Sequence, residues 1–152
     1  MRGLNGKSYI VTGGGSGVGR ATSVRLAAFG ANVTVADCSE ATANETVDII
    51  KKTGGTAHAI CTDVNVEEDV KIMVKSAVEK YGRLDGACNS AGICQRGKIT
   101  HELSTAEWDA CHGVNLRGLF LCNKYEIIAM PGGRRRGYRR HRIGLVDGRR
   151  RK

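Results

Sequence analysis

Long apolar runs are missing from this sequence. No stretch approaches the ~20 residues needed to span a bilayer. The start, Met1 to Lys7, leads straight into a strand-like run without the apolar core of a signal peptide. A soluble, cytoplasmic protein is the expectation. Six cysteines sit at 38, 61, 88, 94, 111 and 122, yet no pair has Cys-x-x-Cys spacing and no histidine pair accompanies them at zinc-finger spacing. His58, His101, His112 and His141 show no ligand spacing either, so no metal site is expected. A disulfide framework is not expected in a chain with this much apolar periodicity and no secretory signal. The thiols are expected to be buried or half-buried.

Acidic residues are nearly absent from the last 21 positions, where Asp147 stands against ten Lys and Arg. Residues 1–131 hold 14 basic and 14 acidic side chains, so the formal net charge of +9 belongs wholly to the segment 132–152. A basic pI ordinarily points to nucleic acid, but here the neutral part is the folded part. The basic segment lacks amphipathic period and has no aromatic interleaving beyond Tyr138. It has the composition of a disordered arm. The expected organisation is one domain over 1–131 and a disordered basic tail over 132–152.

Within 1–131, strand and helix signals alternate. Ser8–Val11 is strand-like and runs into Thr12 and a glycine cluster. Val18, Ala21, Leu26 and Phe29 have helical spacing, and Gly30 fits a stop. Asn32–Ala36 is β-branched and strand-like. Ser39 can cap a helix that runs to about Lys52, with Val47 and Ile50 on one face. Thr56–Cys61 is a third strand. Asn65 and Glu68 form a capping-box-like start for a helix ended by Gly82, with Val66, Val70, Met73, Val74, Ala77 and Tyr81 as its apolar stripe. Leu84–Asn89 is a fourth strand. Ser104 and Glu107 box the start of a last helix that runs to about Met130 and carries Trp108, Cys111, Val114, Leu119 and Leu121, with Trp108 expected in the core. Strands alternating with helices of this length mean an α/β doubly wound parallel sheet.

The strongest local signal is Thr12-Gly13-Gly14-Gly15-Ser16-Gly17-Val18-Gly19, between a strand and a helix. Glycine serves where backbone turns with positive φ and where a phosphate approaches the main chain. The helix that follows offers that phosphate its free N–H groups and positive dipole end. A tight connection would also use glycines, but the strand–turn–helix context favours a nucleotide site. No Gly-Lys-Ser/Thr follows, which excludes a Walker loop, and the spacing is not Gly-x-Gly-x-x-Gly.

The spacing Thr-Gly-x-x-x-Gly-x-Gly resembles that of the classical short-chain dehydrogenase/reductase family, and further motifs follow in order over residues 5 to about 131. The resemblance implies a Rossmann fold and an NAD site in which Gly13, Ser16, Gly17, Val18 and Gly19 hold the dinucleotide. Asp37 ends the second strand; a carboxylate there accepts hydrogen bonds from a ribose hydroxyl pair and repels a 2′-phosphate. A turn or cap aspartate is the plainer alternative. Asp63-Val64 follows the third strand, where the family places an Asp against the adenine amino group; Asp63 can equally belong to the loop before the next helix. Asn89-Ser90-Ala91-Gly92 is similar to the family's Asn-Asn-Ala-Gly, and implies that Asn89, Ala91 and Gly92 steady the sheet and line the cleft. Asn115 is a poor helix former placed in mid-helix. In the family that asparagine sits at a helix kink, and its main-chain carbonyl holds a water of the proton relay.

The family also needs a substrate-holding serine and a Tyr-x-x-x-Lys pair, and neither is here in context. The residues four beyond Tyr9, Tyr81, Tyr125 and Tyr138 are Gly13, Asp85, Ala129 and Arg142. An arginine does not substitute freely for that lysine. The expectation is therefore a truncated or frame-shifted oxidoreductase, inactive as it stands. Its longer parent, a homo-oligomer, would transfer hydride between NAD(H) and a small alcohol or carbonyl substrate. The codons of Gly137–Ile143, read one nucleotide later, permit Ala-Ile-Val-Asp-Thr-Ala-Ser, close to the fifth strand of relatives. The first four strands are expected in the order 3-2-1-4, with the fourth an open edge. The alternative is a nucleotide-binding module without turnover whose basic tail contacts nucleic acid or anionic membrane. A methyltransferase domain also expects a glycine turn, but the Asn89–Gly92 and Asn115 motifs argue against it.

Overall fold

The computed structural model describes residues 3–94 and 97–131, so the expectations for 132–152 lie outside the described residues. Strands β1 (Ser8–Thr12), β2 (Asn32–Asp37), β3 (Thr56–Cys61) and β4 (Gly86–Asn89) alternate with helices α1 (Gly17–Ala28), α2 (Glu40–Lys52) and α3 (Glu67–Tyr81). After β4 come a 3-10 turn, Thr100–Glu102, and α4 (Thr105–His112), a π-helical stretch Gly113–Gly118 and α5 (Leu119–Ala129). The strands are parallel in the order β3-β2-β1-β4. This is the doubly wound Rossmann arrangement, with the order reversing between β1 and β4.

The strand period of two divides the core between the two faces. Ile10 and Ala36 join Val70, Met73, Ala77, Leu84 and Leu121 beneath α3 and α5. Val11, Val33 and Val35 join Ala27, Ala43, Val47 and Ile50 beneath α1 and α2. Burying each of the larger of these side chains is worth about 1.5–3 kcal/mol. Burial on both faces of β1 and β2 extends to the polar residues Ser8, Thr12 and Thr34.

Several elements differ from expectation. The inward face of α1 is Gly19, Ser23 and Ala27, not Val18, which is 73% exposed. Small residues are needed because this helix starts pressed against the glycine turn. Asn65 does not cap α3: the N-cap is Val66, and Asn65 gives its own N–H to Asp63 Oδ1 at 2.9 Å. The N–H of Asp63 is taken by Asp69 Oδ2 at 3.1 Å. The Ser104–Glu107 box does form, with Ser104 Oγ accepting from Glu107 N at 3.2 Å and Glu107 Oε2 accepting from Ser104 N at 2.9 Å. Yet α4 buries none of its residues, and Trp108 is 52% exposed, stacked on His112 one turn later. Leu119 also faces outward. The π-helical stretch adds residues to the turn and resets the phase, so that Leu121, Cys122 and Glu126 become the inward positions of α5. Of the thiols only Cys122 is buried; Cys38, Cys61 and Cys94 are exposed at strand ends and in loops.

Candidate functional site

The C-terminal ends of all four strands open into one cleft of about 530 Å³, at the switch point between β1 and β4. Open α/β sheets bind ligands at such a point because the flanking loops there diverge to opposite faces.

Its first wall is the turn after β1. Gly13 has φ +63, and a Cβ there would stand 2.9 Å from the backbone of Ala91. Gly19, in the first turn of α1, would put a Cβ 2.0 Å from the carbonyl oxygen of Gly13. Helix, turn and the 89–92 loop are thus packed backbone to backbone, which only glycine permits. Ser16 is the N-cap of α1 but its hydroxyl makes no capping hydrogen bond. The positive end of the helix dipole therefore faces the cleft, which Ser16, Gly17 and Val18 line.

The second wall is the end of β2. Asp37 lines the cleft, with Oδ2 accepting from Gly15 N at 2.9 Å and Oδ1 accepting from Ser39 N at 3.0 Å. The carboxylate both braces the turns and faces the cleft; Oδ1 also accepts from Cys38 Sγ at 3.7 Å, and Oδ2 keeps a second lone pair. Gly14 N donates to Ala36 O at 3.0 Å, and Thr46 Oγ1 donates to Gly14 O at the same distance. Cys38 lines the cleft beside Asp37, and burial together with that carboxylate raises its thiol pKa. Sequence reasoning passed over Cys38, although its place directly after the strand-end acid was a usable signal.

Asp63 and Val64 line the third side. Asp63 is also the loop residue that receives the N–H of Asn65. Ser90, Ala91 and Gly92 form the floor, joined by Val114 and by Ile93, which the motifs did not single out. Asn89 and Asn115 stand behind the lining. Asn115 Oδ1 accepts from Ile93 N at 2.9 Å and its Nδ2 donates to Ile93 O at 2.8 Å, so one side chain grips both polar groups of that peptide residue. It lies in the π-helical stretch, where the helix is distorted.

Among the described residues the cleft is lined by two carboxylates and by no Lys, Arg, His or Tyr. Tyr125 instead donates to Glu67 on the outer side of α3, and Tyr81 meets His58 at 3.1 Å. Also among these residues, no His/Cys/Asp/Glu group could hold a metal, and no helix is long and apolar enough to cross a membrane. The arrangement provides N–H donors, a helix dipole and a hydroxyl-accepting carboxylate, which suits a dinucleotide diphosphate and a ribose diol.

A family model described as short chain dehydrogenase matches residues 7–138. The 2,5-dichloro-2,5-cyclohexadiene-1,4-diol dehydrogenase of Sphingobium indicum is 46% identical over 130 residues, covering 86% of this chain and 51% of that protein. The solved structure of levodione reductase superposes with a TM-score of 0.80 at 35% identity, over 84% of this chain and 50% of the other. A hydroxysteroid dehydrogenase from Escherichia coli gives 0.78 at 30% identity, over 84% and 53%. The chain spans about half the length of the curated relatives it matches.

Proposed function

Because the chain belongs to the short-chain dehydrogenase family, we propose that its cleft binds NAD(H) in preference to NADP(H). The observation that carries this reading is Asp37, a cleft-lining carboxylate with no cationic side chain beside it in the lining. In this reading Gly13, Ser16, Gly17, Val18 and Gly19 take the diphosphate, Asp37 the adenosine ribose, and Asp63 and Val64 the adenine. Asn89, Ala91 and Gly92 shape the nicotinamide end. The glycine turn supports it, since a Cβ at Gly13 or Gly19 would collide with backbone and displace the turn from the helix end that would meet the diphosphate. A 2′-phosphate beside Asp37 would set like charges together in a partly buried cleft.

When bound, NAD accepts a hydride from an alcohol carbon, or as NADH returns it to a carbonyl. A longer protein of this type would act so on a small alcohol or carbonyl compound, with Asn115 as its contribution from this half. The relatives named above are, by their names, a cyclic diol dehydrogenase, a reductase and a hydroxysteroid dehydrogenase. The 152-residue chain itself is proposed to bind without turnover, since no acid/base side chain of the family's Tyr-x-x-x-Lys kind is in its sequence.

Calorimetric titration of the full chain with both cofactors tests the preference: NAD+ should bind at least tenfold tighter, and Asp37→Ala should narrow the gap. Equal or tighter binding of NADP+ overturns it. Incubation with NAD+ and a panel of secondary alcohols should give no absorbance of reduced cofactor. A robust rate abolished by Asn115→Leu would overturn the second part.

A further inference from the structure

Glu126 is out of character for its place. It lies on the inward face of α5, one turn after the buried Cys122, and is 1% exposed. Burial raises its pKa, opposed by the hydrogen bond from Asn89. An acidic side chain at an apolar position costs stability unless its hydrogen bonds do something specific. Glu126 Oε1 has no partner among the described residues, whereas Oε2 accepts from Asn89 Nδ2 at 2.8 Å.

That one bond decides which way the Asn89 amide points. Its Nδ2 faces α5, where Asn123 Oδ1 is a second acceptor at 3.3 Å. Its Oδ1 therefore faces β1 and accepts from Thr12 Oγ1 at 3.4 Å. A flipped amide would set its oxygen against the oxygens of Glu126 and Asn123. With the hydroxyl proton of Thr12 directed to Asn89, a lone pair on Thr12 Oγ1 is left for Ala91 N at 3.3 Å, while Ser90 N donates to Thr12 O at 3.2 Å. Ser90 and Ala91 line the cleft, and the Ala91 backbone lies against Gly13. A continuous chain of bonds runs from a buried helix position to the cleft floor.

We propose that Glu126 is a positioning residue: through Asn89 and Thr12 it fixes the backbone of Ser90 and Ala91 at the distance from the glycine turn that a bound dinucleotide requires. Glu126 does not line the cleft itself. The proposal rests on the reading of that cleft as a dinucleotide site, and two measurements on the full chain separate them. Amide hydrogen exchange without nucleotide reads the positioning alone. Ala91 N–H should exchange about tenfold faster in Glu126→Met, which keeps the bulk and removes the acceptor, and at the parent rate in Glu126→Gln, which keeps an acceptor oxygen. Protection at Val11 and Val33 should not change in either, which separates positioning from general loosening. Calorimetry should then show NAD+ binding weakened about tenfold in Glu126→Met and within twofold of the parent in Glu126→Gln. Unchanged exchange at Ala91 in Glu126→Met, or unchanged NAD+ affinity where the parent binds, overturns the proposal. If Glu126→Met does not fold, Asn89→Ala cuts the same link, and parent-like exchange at Ala91 in that variant overturns it instead. A parent that binds no NAD+ defeats the reading of the cleft, while the exchange result still decides the role of Glu126.

Discussion

A hydrogen atom at Gly19 stands where any other residue would place a carbon 2.0 Å from the carbonyl oxygen of Gly13. Backbone, not a flexible side chain, would have to yield. Gly19→Ala should therefore lower NAD+ affinity at least tenfold in calorimetry and cost about 1–3 kcal/mol in urea unfolding, as overpacking does. His58 makes a different prediction. Its ring nitrogens meet Tyr81 Oη and Ser76 Oγ, both at 3.1 Å, and burial lowers its pKa from 6.5 to about 4, with Lys80 adding to the effect. Between those values the unfolded chain binds a proton that the folded chain refuses. Stability is full above pH 6.5 and falls as the pH drops toward 4, by on the order of 1–3 kcal/mol. Urea unfolding at pH 7.5 and pH 4.5 should show that loss, and His58→Gln should flatten it. A slope unchanged by the substitution would remove His58 as its source.

At the scale of elements, the contact between α3 and α5 is held at its rim by Glu67, which accepts from Tyr125 and, at 2.9 Å, from Lys124. These bonds, Tyr125's first, hold its pKa at about 2. Lys98 and Ser104 do the same for Glu107 at the start of α4. Depressed carboxylate pKa values contribute stability that is present above about pH 4.5 and lost as pH falls toward 2. This second acid transition lies mostly below that of His58. The capping box is the other element-level device. Ser104→Ala should cost about 1 kcal/mol, read as faster amide exchange through α4. Since α4 buries none of its residues, that loss should not reach the sheet, and core amides of β1 and β2 should keep their protection.

At the scale of the molecule, two surfaces stand out. β4 pairs only with β1 among the described residues, which leaves a parallel edge. The π-helical stretch and α5 expose Leu116, Phe120, Ile127 and Ile128 at 65, 62, 51 and 49%. Large apolar side chains grouped on an exposed helical segment mark association surfaces, and their exposure here predicts self-association of the chain. Sedimentation velocity at increasing concentration should show self-association, reduced by the pair Leu116→Asp and Phe120→Asp. A monomer at all concentrations would refute it.

Local rules carried the element order. Gly30 and Gly82 could be read as stops, Ser39 and Ser104 as caps, and β-branched runs as strands, because caps, stops and periods act over a few neighbouring residues. The order 3-2-1-4 followed from the doubly wound fold that the alternating elements implied. The cleft positions of the glycine turn, Asp37, Asp63 and Ala91 were legible because each lies at the C-terminal end of a strand or begins within two residues of it. What the tertiary structure decided is what depends on partners far along the chain. Val18 left the core because α1 rests on the turn of Gly13. Leu119 turned outward because six π-helical residues, Gly113–Gly118, shifted the phase of one long helix, and Trp108 is exposed because α4 buries none of its residues. Glu126, a charged residue followed by two exposed isoleucines, gave no sequence signal at all. Its burial exists only because Asn89, 37 positions earlier, arrives beside it at the end of β4.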